Sequence, residues 1–162
     1  MALASADELQ AEDEALAASW RELQAAAAAT DAEAAREEYE TAFVGTGKAP
    51  VTLYTGAYSV RYTNEMPLAQ LKADLIALGL ARRVNAGEPE DHLAALCDTM
   101  RHLITSERSL QEQKRFFLRW ILPIVEPLCA AIEKSEHTSL YKRIGRLAKA
   151  FFSLEQAAFE ML

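Results

Sequence analysis

Apolar residues recur every three or four positions along most of the chain, the pattern of helices that bury one face. The first run opens on a Ser5–Glu8 capping box and continues to about Ala29 with a thin stripe of Leu9, Leu16, Trp20 and Leu23. Thr30 and Glu33 form a second capping box, opening a helix that ends near Phe43 and carries Tyr39 and Phe43 on one side. Residues 44–56, VGTGKAPVTLYTG, break the period with three Gly and one Pro and read as a loop. The pattern resumes from Asn64 to Gly79, with Pro67 near the start and Leu68, Leu71, Leu75 and Leu78 at helical spacing. Gly79 is placed to end that helix, and ARRVNAGE follows as a polar connector.

Pro89 is read as opening the next helix, whose apolar face is Leu93, Leu96, Cys97, Met100, Leu103 and Ile104. A Ser109–Glu112 capping box starts a long apolar run from Leu110 to Ile132, in which Pro123 and Pro127 should kink or interrupt the helix. A last helix begins near Thr138 and is expected to bury Leu140, Ile144, Leu147, Phe151, Leu154, Ala158 and Leu162, with Tyr141, Phe152 and Phe159 widening the stripe. The pattern predicts an all-α, single-domain bundle of about six helices over residues 1–162, with no strand and no internal repeat.

Composition supports this reading. Hydrophobic residues are 51% and charged residues 25%, an ordinary globular balance, and alanine, the best helix former, is in excess. The net charge of −7 is unevenly spread: residues 1–40 hold 11 acids and 2 bases, while residues 101–150 hold 5 acids and 10 bases. An acidic chain is a poor binder of nucleic acid, which needs clustered Lys and Arg. Arg115, Arg119, Lys142, Arg143, Arg146 and Lys149 read as solvated helix faces or, alternatively, as a docking surface for an acidic partner. No window approaches the about 18 consecutive apolar residues of a membrane span. The acidic N-terminus does not resemble a signal peptide, so a cytoplasmic location and no stable membrane insertion are expected.

No residue pattern points to catalysis. His92, His102 and His137 lack ligand spacing to one another or to cysteine, so neither a metal nor any other cofactor is expected. Cys97 and Cys129 read as small buried hydrophobes. No nucleophile elbow is present, and GTGK at 45–48 lacks the full phosphate-loop spacing. The densest polar feature is Glu88-Pro89-Glu90-Asp91-His92, immediately before an apolar run. Acids and proline suit a first helical turn on structural grounds alone. The same residues could instead offer carboxylates and an imidazole to a basic ligand.

EPEDHLAALCDTMRHLI, from Glu88, resembles the signature of the TorD/DmsD/NarJ family of cytoplasmic molybdoenzyme maturation chaperones. Residues 38–59, EYETAFVGTGKAPVTLYTGAYS, are similar to that family's Gly-rich loop and Tyr-Ser turn. Leu78-Gly79-Leu80, QKRFFLRWILPIVEPLCAAI at 113–132 and LYKRIGRLAKAFFSLE at 140–155 extend the resemblance over roughly residues 36–160. Two features depart from it. The chain starts in an Ala/Glu-rich helix instead of the family's usual N-terminal helices, and Ile124 stands where a Trp often follows the proline.

The resemblance implies a TorD-like fold and a non-enzyme that binds the twin-arginine signal peptide, the body, or both, of an apo-molybdoenzyme. Such a chaperone assists cofactor insertion and holds back export until folding is complete. Carried over by position, Glu88, Pro89, Asp91 and His92 would line the peptide groove, with Tyr58 and Ser59 as neighbours. A homodimer formed by helix exchange is compatible with the resemblance. The alternative is a permanent helical subunit of a redox complex.

Overall fold

The computed structural model describes residues 6–44, 49–59, 67–82 and 87–162. The chain is all-α; among the described residues the only extended pairing is an isolated bridge between Tyr54 and His92. Its elements are α1 (Ala6–Ala28), α2 (Ala32–Tyr39), a π-helical turn (Glu40–Val44), the one-turn α3 (Gly56–Ser59), α4 (Pro67–Ala77), α5 (Leu93–Thr105), α6 (Leu110–Phe116), a second π-helical segment (Phe117–Ile121), α7 (Leu122–Lys134) and α8 (Leu140–Glu160). The chain forms two compact units, residues 53–124 and residues 1–52 with 125–162. The Ser5–Glu8 box and the GTGK segment lie outside the described residues and side chains, as do residues 64–66 and 83–86 of the expected helix and connector.

In the unit of residues 1–52 and 125–162, α1 lies along α8 and α2 packs on the same helix. The core here is Ala42, Val51, Val125, Leu128, Ile132, Phe152 and Phe159. Asp31, not Thr30, caps α2: its carboxylate accepts the Ala34 N–H at 2.8 Å, while the Thr30 hydroxyl turns back to the Ala26 carbonyl at 2.8 Å. Thr30 is thereby spent on closing α1, which leaves the next residue to open α2.

Helix α8 starts at Leu140, and its preceding Ser139 makes no side-chain cap. The Glu38 carboxylate takes that role from α2, accepting the N–H groups of Ser139 (2.7 Å), Leu140 (3.1 Å) and Tyr141 (2.8 Å). Tyr39, Phe43 and Tyr141 cluster beside this cap with ring centroids 5.1–5.8 Å apart. The buried face of α8 is Gly145, Phe152 and Phe159, so the expected stripe is rotated. Ile144, Phe151 and Leu162 are exposed instead.

The unit of residues 53–124 has its core in Leu71, Leu75, Leu96, Met100, Leu103, Phe116, Phe117, Ile121 and Ile124. Gly79 ends α4 as the pattern predicts: at φ +76° it occupies a backbone region that costs a Cβ-bearing residue energy, and Leu80 N–H reaches the Leu75 carbonyl at 2.8 Å. The Ser109–Glu112 capping box is present in full. Cys97 is exposed on α5, a correction to its expected burial, and Cys129 on α7 is half-buried, its thiol pushed up to about 11 by desolvation.

Helical structure runs unbroken from Leu110 to Lys134 through both prolines. The adjustment is a π-helical segment ahead of Pro123, where the Leu122 N–H bonds the Phe117 carbonyl five residues back. Pro123 has no N–H for the carbonyl of Arg119, so the α-helical ladder cannot continue through that point unchanged. The widened turn sets Arg119 and Trp120 together on Asp74 of α4. The indole N–H donates to the Asp74 carboxylate at 2.8 Å and the guanidinium lies 2.9 Å from it.

Candidate functional site

The turn that precedes α5 gathers polar side chains from separate segments of its unit. Helix α5 begins at Leu93 with His92 as its N-cap, so Pro89 stands in the turn and does not open the helix. The imidazole takes the cap because its Nδ1 accepts the Ala94 N–H at 3.2 Å, while the His92 carbonyl accepts from Ala95 and Leu96. With Nδ1 used as acceptor, the neutral ring carries its proton on Nε2. His92 is half-buried and its own N–H closes the turn onto the Pro89 carbonyl at 3.2 Å.

A second segment is pinned against this turn. Thr55 N–H donates to the Asp91 carbonyl at 2.9 Å, and Leu93 N–H donates to the Leu53 carbonyl at 2.9 Å. These two bonds make the bridge between Tyr54 and His92, whose rings meet edge to face at 5.3 Å and 82°. The Tyr54 hydroxyl donates to the Glu88 carboxylate. Asp91 Oδ2 accepts the Gly56 N–H at 3.2 Å, where α3 begins. A Cβ on residue 56 would stand 2.9 Å from that same oxygen, so any other residue would push the Asp91 carboxylate aside.

Three carboxylates therefore occupy one turn in different states. Glu88 is exposed and meets Tyr54; Asp91 is half-buried and fixes the loop. Glu90 has a side chain only 14% exposed and lies 3.7 Å from Lys72 Nζ of α4. The group offers acceptors for a cationic ligand beside the aromatic surface of Tyr54. Among the described residues no cluster of His, Cys, Asp and Glu could hold a metal ion.

Of the residues expected at the site, Glu88, Pro89, Asp91 and His92 share the turn. Tyr58 and Ser59 lie on α3, which follows the Gly56 contact directly, and Tyr58 N–H bonds the Thr55 carbonyl at 3.0 Å. Sequence reasoning missed Tyr54, Gly56 and Lys72. Tyr54 and Gly56 sit inside the stretch VTLYTGAYS, whose Gly56 breaks the helical period and was the available signal, but their partners lie 34 and 35 residues away.

A family model described as nitrate reductase delta subunit matches residues 9–130. The chain belongs to the nitrate reductase delta subunit family. No curated protein and no solved structure matches it significantly. This is a NarJ-type family of molybdoenzyme maturation chaperones, the family that the resemblance implied. Its members interact with subunits of the molybdoenzyme they serve. The match takes in both pinned segments and starts within α1, earlier than the stretch that carries the resemblance. No described helix is long and apolar enough to cross a membrane.

Proposed function

We propose that this delta-family chaperone binds the twin-arginine signal peptide of an apo-molybdoenzyme at the turn before α5, in the cytoplasm, and releases it once the cofactor is in place. Export is held back in the interval. The observation that carries the reading is the convergence of Tyr54, Glu88, Glu90, Asp91 and His92 on one hydrogen-bonded turn. An arginine pair needs planar carboxylate acceptors, and an exposed Glu88 held by a tyrosine hydroxyl is pre-organised to supply one. The apolar stretch that follows the pair in such peptides would lie along the α3 segment with Tyr58 and Ser59.

The reading separates a chaperone from a permanent subunit by its release step. Apo-enzyme carrying its signal peptide should co-purify with the chain, and cofactor-loaded enzyme should not. Equal retention of both forms after dilution would contradict the proposal and favour a permanent subunit.

A further inference from the structure

The three carboxylates of the turn differ in what they still lack. Glu88 receives the Tyr54 hydroxyl, and Asp91 receives the Gly56 N–H while its carbonyl receives Thr55 N–H. Glu90 is the exception: its Oε2 is buried and has no hydrogen-bond donor among the described residues. Lys72 Nζ, at 3.7 Å, supplies charge but stands beyond hydrogen-bonding distance. A carboxylate oxygen removed from water and left without a donor is a costly arrangement unless something completes it.

The two partners of this pair are unequal. The Glu90 side chain is 14% exposed, whereas that of Lys72 is 50% exposed. An ammonium on a flexible, half-solvated stem gains little from such a pair and gives up little by leaving it. A guanidinium presents planar, paired N–H donors that can meet both oxygens of a carboxylate at once, whereas an ammonium meets it as a compact point charge without that fork.

We infer that Glu90 is the seat for an arginine guanidinium of the bound peptide, and that Lys72 holds this seat in the free protein and vacates it on binding. The inference rests on the signal-peptide reading and adds to it a selecting residue and a displaceable internal cation. Arginine is preferred over lysine because its planar fork can donate to both Glu90 oxygens together, which an ammonium cannot match in geometry.

The test is calorimetric titration of the wild type, Lys72→Met and Glu90→Gln with a synthetic twin-arginine signal peptide and its Lys-Lys counterpart. Thermal melting of each variant verifies folding. Lys72→Met should tighten the Arg-Arg peptide by about threefold, the scale of one exposed ion pair. Glu90→Gln should weaken it by about 10- to 100-fold, the scale of one charge-assisted hydrogen bond, and bring the two peptides close to equal affinity. Should Glu90→Gln keep the wild-type preference for arginine, or Lys72→Met weaken binding, the inference is overturned while the signal-peptide reading stands. Should the folded wild type bind neither peptide, both are overturned.

Discussion

Asp91 joins two segments that lie 35 residues apart in sequence. Its carboxylate ties the first amide of α3 to the turn before α5, and its carbonyl holds Thr55. Asp91→Ala leaves the half-buried Gly56 N–H without its acceptor and should cost about 1–3 kcal/mol in denaturant unfolding. Gly56→Ala should cost a similar about 1–3 kcal/mol by forcing a Cβ against the Asp91 carboxylate. A loss of peptide binding in either variant therefore has to be read beside its stability. Glu88 is the better probe, because it is exposed and its known partner is a side chain. Glu155 of α8 offers a test of a different kind: partial burial pushes its carboxyl above the ordinary range. A carboxyl raised by folding favours the folded state at low pH, and that contribution is lost as pH rises through the raised value. Glu155→Gln should accordingly raise the melting temperature at pH 7, with the gain shrinking as pH falls through the carboxylate range. A gain independent of pH would exclude desolvation as its cause.

At the scale of elements, helix ends are completed by groups that sequence position does not announce. Helix α8 is 21 residues long, and its N-terminal amides are satisfied by Glu38 from α2. A carboxylate there meets the positive end of the helix dipole as well as three donors. Glu38→Ala should destabilise the protein by about 1–3 kcal/mol, and Glu38→Gln by less. An unfolding midpoint unchanged in Glu38→Ala would show that water replaces the cap freely. The long basic-rich run behaves more quietly. Arg146 pairs with Glu133 and Glu22, Lys149 with Glu126, and Arg119 with Asp74. Those cations are engaged within their own chain, which favours the solvated-face reading over an acidic docking partner for them, and exposed pairs of this kind contribute little to stability.

Across the whole molecule, the helices were legible because each carries a local period, and two of their ends because a glycine and a capping box act locally. Gly79 and the Ser109–Glu112 box are of this kind. The face of α8 was misread because Ile144, Phe151, Phe152 and Phe159 allow two overlapping stripes, and the choice between them is made by packing. The start of α5 was misplaced because Pro89 suits a first helical turn, whereas the His92 cap and the pairing with residues 53–55 fix the start at Leu93. The turn itself stood out from its charge density, but Tyr54 and Lys72 did not, since their roles exist only after segments far apart in sequence are folded together. Both pinned segments fall within residues 53–124 and within the family match. The account therefore stands on what that unit binds. The direct measurement is calorimetric titration of the wild-type chain with the twin-arginine signal peptide of its molybdoenzyme and with the Lys-Lys counterpart. The account predicts saturable binding near about 1 μM for the arginine peptide and clearly weaker binding for the lysine one. Equal affinity for the two, or no binding by the folded protein, would contradict it.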